Sequence, residues 1–344
     1  MAKKKKNRIL LSGGGTGGSV SPLLAVAEEC PKYDFLWVGT KSGPEKEMVI
    51  KTGIKFKSII SGKLRRYFSF RNFIDPLFIF VGFIQSFFII LFSRPKLIMS
   101  AGSFVSVPIV WAGWLLGVPV LIHQQDKRPG LANKLMAPFA NTVTVTFKES
   151  LNDYGKKAVW TGNPTRQSQE ISNGKTQIVN NDLPLVLIVG GGTGAKAINE
   201  LVEESFSELT KFCQVIHVTG KGNITSHKSF EFLEYDEMMS IMRKADIVIS
   251  RAGLGFLTEI SYLKKPAIII PMPGTHQEDN ADVFAEKQAA IVLDQSKLTK
   301  EDFINNIKGL LNNNELRNKL RNNIGEVMKP GANKSIAEII ENTI

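Results

Sequence analysis

The chain has 344 residues, 43% of them hydrophobic, and 43 Lys and Arg against 32 Asp and Glu, a formal net charge of +11. That length suits two ordinary domains with real cores. Its two cysteines, Cys30 and Cys213, lie too far apart in sequence to form a disulfide framework or a cysteine metal site, and fit a reducing cytoplasm. The basic start at residues 3–6 leads through a short apolar run into glycines, so the sequence reads without a signal peptide.

A first strand at 8–11 runs into Gly13-Gly14-Gly15-Thr16-Gly17-Gly18 and then a helix at 22–29. Glycines let backbone approach an anion, and the helix start supplies unpaired N–H groups and a positive dipole end. Further strands are predicted at 35–38, 97–100, 118–123, 142–146 and 158–160, with helices at 45–51, 76–92, 107–116 and 131–137. Alternating strands and helices with apolar strands imply a parallel sheet covered on both faces. Before the third helix, Lys63, Arg65, Arg66 and Arg71 mix with Tyr67, Phe68, Phe70 and Phe73. The helix itself carries no charge from Leu77 to Phe92, with Asp75 and Pro76 read as its N-cap and first position. At ~24 Å it is short of a bilayer span. A buried core helix and a helix lying in a membrane interface both fit, a true span fits less well on length alone, and the basic and aromatic neighbours suit the interface.

Charge is uneven along the chain. Residues 1–163 hold 23 Lys and Arg against 9 Asp and Glu, and residues 164–344 hold 20 against 23. A basic half implies a polyanionic partner. The sequence shows no nucleic-acid-binding signature, which leaves an anionic membrane surface.

A polar stretch at 165–184 reads as a linker between a domain at 1–164 and another at 185–328, with a last helix in 329–344, centred on 334–340. The second half repeats the first one's grammar. A strand at 185–189 runs into Gly190-Gly191-Gly192-Thr193-Gly194, and strands at 215–219, 247–250, 267–270 and 290–292 alternate with helices at 196–209, 237–244, 255–263, 280–287 and 300–311. The spacing of both glycine loops matches a dinucleotide fingerprint, yet the second strands end in Thr40-Lys41 and Thr219-Gly220-Lys221 rather than an acid for the ribose. Neither loop ends in Gly-Lys-Ser/Thr, which argues against a P-loop.

Arg251-Ala252-Gly253 follows another strand and opens a helix holding Glu259. Arg251 and the helix start at Gly253 can offset diphosphate charge, and Glu259 reads either as an acceptor for ribose hydroxyls or as a solvated helix acid. His276, Gln277 and Asn280 fall on what reads as a loop after the next strand and carry sugar-type hydrogen-bonding groups. No Asp-x-Asp pair occurs, so the sequence offers no evident metal ligands for a nucleotide diphosphate and implies no cofactor besides a donor substrate.

Taken in order, these landmarks resemble the GT-B glycosyltransferases of peptidoglycan lipid-intermediate synthesis. They are the first glycine loop with Pro22; segment 62–68; Ser103-Phe-Val-Ser-Val-Pro108; His123-Gln-Gln-Asp126 with Pro129-Gly-Leu-Ala-Asn-Lys134; Gly162-Asn-Pro-Thr-Arg166; the second glycine loop; Arg251-Ala-Gly253 with Glu259; and His276-Gln277 with Asn280-Ala281. The resemblance covers nearly the whole chain. It implies an α/β GT-B protein, two Rossmann-like domains whose parallel sheets face a cleft. It further implies inverting transfer of GlcNAc from UDP-GlcNAc to an undecaprenyl-diphosphate-linked muramoyl-pentapeptide by a peripheral protein on the cytoplasmic face of the membrane. Arg166 and Thr193 would lie near the donor diphosphate, Gly194 at a helix start that stabilises it, Tyr235 against uracil, Glu259 on the ribose, and Gln277 with Asn280 on the sugar. Thr16, Gly17 and Gly18 would lie near the acceptor diphosphate. Two positions depart from the family. Ser19 stands where a histidine usually ends the first loop, and Gln124 stands where a glutamate is usual. A serine hydroxyl cannot act as a base near neutral pH. Asp126 is then the candidate base, with Ser19 orienting the acceptor. The same departures keep two rivals open: a related transferase with another lipid acceptor, and a non-catalytic UDP-sugar-binding protein at the membrane.

Overall fold

The computed structural model describes residues 6–15, 17–62, 71–166, 182–190 and 195–344, with the main chain alone at 71–74. Thr16, Thr193, Gly194, the basic and aromatic residues 63–70 and most of the expected linker lie outside the described residues. The chain divides into two compact units, one reaching Arg166 and regaining Lys329–Ile344, the other ending at Met328.

The first unit runs β1 (Arg8–Ser12), α1 (Ser21–Glu29), β2 (Asp34–Gly39), α2 (Glu45–Lys51), β3 (Lys55–Ser58), α3 (Arg71–Ser93), β4 (Leu97–Ser100), α4 (Ser106–Leu115), β5 (Val120–Gln124), α5 (Leu131–Met136), β6 (Thr142–Val145) and β7 (Ala158–Trp160). Its sheet has the order β3-β2-β1-β4-β5-β6-β7, and every pairing is parallel. Successive strand residues face opposite sides. Leu10 therefore joins Ile98, Val120, Ile122, Val143 and Val145 in one core, and Ile9 and Leu11 join Leu97, Met99 and Leu121 in the other. Strand β3 escapes the sequence reading because its Lys55-Phe56-Lys57-Ser58 is an edge strand with both lysines exposed.

Helix α3 starts five residues earlier than the sequence suggests. Pro76 lies inside it, and Asp75 is a buried residue within the helix rather than its cap. Gly62 presses against the Asp75 carbonyl so closely that any Cβ there would collide with it. One stripe of α3, Gly82, Ser86 and Ile90, is buried. Leu77, Phe78, Phe80, Ile84, Phe88, Leu91 and Phe92 remain exposed, as do Trp114 and Leu115 at the end of α4. The helix is thus not a fully buried core helix.

The second unit runs β8 (Leu185–Val189), α6 (Lys196–Leu209), β9 (Gln214–Val218), α7 (Tyr235–Lys244), β10 (Ile247–Ser250), α8 (Leu254–Tyr262), β11 (Ala267–Ile269), α9 (His276–Glu286), β12 (Ile291–Val292), α10 (Lys300–Asn312) and α11 (Asn314–Gly325). Its strands, again all parallel, have the order β12-β11-β10-β8-β9. Val186, Ile188, Ile247, Ile249, Ile268 and Ile270 pack under Phe303, Ile307 and Leu310 of α10. Helix α11 was not expected from its Asn-rich sequence. Asn313 caps it, the side chain accepting from the Leu316 N–H at 2.9 Å.

A final helix, α12 (Ala332–Thr343), belongs to the first unit, where Ile336 and Ile340 enter the core beside α1. Asn333 fixes the return. It donates to Thr165 O at 2.9 Å and accepts from Thr165 N at 3.1 Å. Gly162, at φ 81°, lies so close to the Lys329 carbonyl that a side chain would collide with it. Both thiols are buried, which pushes Cys30 up to about 11 and Cys213 up to about 12. Neither is a reactive cysteine.

Candidate active site

In open parallel sheets, ligands sit beyond the carboxyl ends of the strands, where strand order reverses. In the first unit that point lies between β1 and β4, and in the second between β8 and β10. Both glycine loops follow a strand at such a point, and so does the Arg251–Gly253 turn.

At the first switch point, the glycine loop is braced from within. Trp37 Nε1 donates to Gly13 O at 3.1 Å, Gly14 N donates to Ser19 Oγ at 3.2 Å, and Gly15 N donates to Glu45 Oε2 at 3.1 Å. The Ser19 hydroxyl also donates to Gly14 O at 3.4 Å, so it is turned into its own loop. With Gly14 and Gly15 committed, the N–H groups of Gly17, Gly18 and Ser19 have no acceptor among the described residues. They sit at the entry to α1, where an anion is favoured. Across the switch point, Gly102 and Ser103 take φ values of 96° and 93° in succession. Such a conformation is strained for serine and is typical of functional turns. A buried hydroxyl chain joins the two loops, with Ser12 Oγ and Ser106 Oγ 2.9 Å apart and Ser106 donating to Gly102 O at 3.1 Å.

Strand β5 brings the next segment to the same edge. His123 is fully buried, with Nε2 2.8 Å from Asn163 Oδ1 and Nδ1 2.9 Å from Thr144 Oγ1. Because the Asn163 oxygen can only accept, Nε2 carries the proton and Nδ1 accepts from Thr144. Burial pushes His123 down to about 4, against the opposing pull of Asn163, so it is neutral and internal. Gln124 explains its own departure from the family pattern. Its amide donates to Asp126 O at 2.7 Å, and its oxygen accepts from Asn133 Nδ2 at 2.6 Å and Tyr154 OH at 2.8 Å. A carboxylate would face the Asp126 carbonyl with no proton to give. Asp126 itself is half-buried just beyond this brace.

Gln125 is the residue the sequence reading passed over. It is 8% exposed, and its Nε2 has no hydrogen-bond partner among the described residues. Buried donors are nearly always satisfied, so this amide stands out in the segment that carries Asp126. Arg166, expected at the donor diphosphate, has its Nε 2.7 Å from Glu28 Oε1 on α1.

At the second switch point, Gly190 N donates to Val218 O at 3.2 Å, and Thr193 and Gly194 lie outside the described residues. Arg251 Nη1 donates to Ile270 O at 3.0 Å and Pro271 O at 3.1 Å. Asn280, fully buried, donates to Ala252 O at 3.1 Å. These bonds tie the Arg251–Gly253 turn to the turn after β11 and so gather Arg251, Gly253, Gln277 and Asn280. Burial lowers the Arg251 pKa, yet a guanidinium stays charged in any case. Gly253 is the N-cap of α8 at φ −73°, and a Cβ there would meet nothing. Nothing among the described residues demands glycine at that place, whereas close approach of a ligand would.

Glu259 is 8% exposed on α8, which removes its reading as a solvated helix acid. His276 and Gln277 are not on a loop, as the sequence suggested, but in the first turn of α9. Thr275 caps that helix by accepting from Gln277 N at 3.3 Å, with Glu278 and Asp279 favouring its positive end. His276 is exposed there, and Gln277 Oε1 accepts from Met272 N at 3.1 Å. Tyr235 opens α7, two residues before the expected start, and is half-buried.

Behind this edge lies a buried polar chain. Asn199 on α6 donates to Thr219 O at 3.0 Å and so turns its oxygen to His217 Nε2 at 3.1 Å, while His217 Nδ1 lies 3.1 Å from His227 Nε2. His227 Nδ1 in turn lies 3.0 Å from Glu203 Oε2. Burial, helped by His227 and opposed by Glu203, pushes His217 down to about 4. Among the described residues no group of three or more His, Cys, Asp or Glu could hold a metal ion.

Comparison with known proteins agrees with this geometry. The glycosyltransferase family 28 N-terminal domain matches residues 9–145 and the family 28 C-terminal domain residues 185–340. A UDP-N-acetylglucosamine--N-acetylmuramyl-(pentapeptide) pyrophosphoryl-undecaprenol N-acetylglucosamine transferase from Clostridium kluyveri is 39% identical over 88% of this chain and 91% of its own. The same-named transferase of Clostridium botulinum (strain Hall) is 36% identical over 97% of this chain and 98% of its own. Among solved structures, Acinetobacter baumannii MurG superposes with a TM-score of 0.76 at 25% identity, covering 98% of this chain and 99% of that one.

Proposed function

The chain belongs to glycosyltransferase family 28 and is a glycosyltransferase of the GT-B fold, and from that premise we propose that it transfers GlcNAc from UDP-GlcNAc to undecaprenyl-diphosphate-muramoyl-pentapeptide in peptidoglycan synthesis. One observation supports the reading: in each unit a strand at the topological switch point runs into glycines, and in the second unit the neighbouring Arg251–Gly253 turn is tied to the turn after β11 and to Asn280. Two substrates that each carry a diphosphate need two such sites.

In this reading the second unit binds the donor. Arg251 and the start of α8 at Gly253 draw the charge that builds on the leaving UDP, Glu259 takes the ribose, and Gln277, Asn280 and His276 take the sugar. Thr193, Gly194, Tyr235 and Arg166 keep the donor roles that the family resemblance implies. The first unit binds the acceptor, with its diphosphate at Gly17 and Gly18 beside Thr16. Asp126 accepts the proton of the attacking sugar hydroxyl as the bond from the anomeric carbon to UDP breaks, and the configuration inverts. The displacement requires no resident cofactor. Adding UDP-GlcNAc with the muramyl lipid or with diacylglycerol and following UDP release tests the acceptor. Release with the muramyl lipid alone is expected, and release with diacylglycerol alone would redirect the assignment to another lipid acceptor.

Arg251→Ala is expected to weaken UDP binding by roughly 10- to 100-fold, the worth of a lost charge-assisted hydrogen bond, in a calorimetric titration. The exposed face of α3 suits peripheral attachment to the anionic cytoplasmic face of a membrane. It is an apolar stripe on a docked helix, in the half of the chain with excess positive charge. Replacing Phe80, Phe88 and Phe92 together by Ser is expected to cut partition into anionic vesicles about 100-fold or more. Each exposed ring gives up roughly 1.5–3 kcal/mol of burial in lipid and little in folding. Equal flotation of variant and wild type would remove this attachment.

A further inference from the structure

Glu45 is fully buried, unlike Glu47 in the same first turn of α2. It opens α2 and folds its carboxylate back between two strand-to-helix turns. Oε1 accepts from the Thr40 N–H at 2.8 Å and from the Thr40 hydroxyl. Oε2 accepts from Gly15 N at 3.1 Å. Three glycines make room for it. A Cβ at Gly14 or Gly43 would collide with its carboxylate, and one at Gly39 would crowd its Cγ at 3.2 Å. Part of the glycine content of the first loop therefore serves this side chain rather than a ligand.

From this we propose that Glu45 is a positioning residue for the acceptor: its carboxylate locks the first glycine loop so that the N–H groups of Gly17, Gly18 and Ser19 converge on the acceptor's diphosphate. The inference rests on the reading of the first unit as the acceptor site. Gly14 is already held by Ser19, and Gly15 at φ 81° has no other brace among the described residues. Substitution by the isosteric amide isolates the link. Thr40 offers two protons to Oε1, so the oxygen of a glutamine stays there, and its NH2 group meets the Gly15 N–H, donor against donor.

The experiment compares wild type, Glu45→Gln and Gly43→Ala, the last of which displaces the carboxylate while keeping its charge. Two readouts are needed. The first is the KM for the muramyl lipid beside calorimetric UDP-GlcNAc affinity. The second is hydrogen exchange in the segment 13–20, which requires no turnover. Both variants are expected to raise acceptor KM about tenfold or more with donor affinity unchanged, and to speed exchange in that segment. A Glu45→Gln protein with wild-type acceptor KM, or with exchange in 13–20 like that of wild type, overturns the proposal. Donor affinity falling in step with acceptor affinity overturns it too, because the effect is then general. A wild type that turns over no lipid acceptor refutes the acceptor reading itself, and exchange in 13–20 still decides whether Glu45 holds the loop.

Discussion

Asp126→Asn is expected to lower kcat by about 100- to 10,000-fold while leaving UDP-GlcNAc affinity as in wild type, the range found when a general base is removed. The structure narrows the choice of base by occupying the alternatives. Ser19 spends its hydroxyl on both backbone groups of Gly14. His123 is buried, with both ring nitrogens engaged, and is held neutral with a pKa of about 4. Gln124 is an amide that braces the turn. Glu45 faces inward toward Gly15 and Thr40. In the turns that follow β1, β2, β4 and β5, Asp126 is the remaining carboxylate. Steady-state kinetics with the muramyl lipid, beside calorimetry with UDP-GlcNAc, make the check. Wild-type kcat in Asp126→Asn would exclude this residue as the base.

Acidification is expected to destabilise the protein steeply between about pH 6.5 and pH 4. His123 and His217 are both fully buried and pushed down to about 4, chiefly by burial. The unfolded chain takes protons near pH 6.5. The folded one refuses them until about pH 4, so protons bind preferentially to the unfolded state across that window. Stability is therefore full above the unfolded pKa and is lost as pH falls, on the order of 3 kcal/mol for each histidine by pH 4. Urea denaturation at pH 7.5, 6, 5 and 4.5 reads the slope. His123→Gln, without a titrating group, is expected to flatten it by one proton while costing stability at pH 7.5. An imidazole NMR signal from His123 titrating near pH 6.5 in the native protein would contradict this account.

The parts of this molecule that were legible in the sequence are those that local chemistry dictates. Ile9-Leu10-Leu11 followed by glycines can scarcely be anything but a buried strand entering an anion-binding turn, and the same holds for residues 185–190. What was not legible depends on partners distant in sequence. Lys55-Phe56-Lys57-Ser58 becomes a strand only because β2 offers it an edge. His276 and Gln277 read as loop because a polar first turn looks like a loop until Thr275 is seen to cap it. The last helix is legible as a helix, but its place in the first unit shows only when Ile336 and Ile340 are found in that core. Within the site, Arg251 and Glu259 were legible in place, since the strand-to-helix turn of the one and the helix of the other are visible in sequence, whereas Asn280 lies inside a helix that starts earlier than the sequence suggests. Glu45 and Gln124 were not legible, because only packing turns a surface-like acid into a clamp and an expected carboxylate into an amide brace. Gln125 differs again: its signal is an unmatched buried donor, which no sequence displays.

The identity of the product decides the assignment. Incubating the protein with UDP-GlcNAc and undecaprenyl-diphosphate-muramoyl-pentapeptide in detergent, then resolving the lipid by mass spectrometry and the new linkage by NMR, tests it most directly. One GlcNAc is expected on the muramoyl sugar in the β configuration, inverted from the donor, with one UDP released per sugar transferred. Saturable UDP-GlcNAc binding with an unmodified lipid, or a retained α linkage, would contradict it.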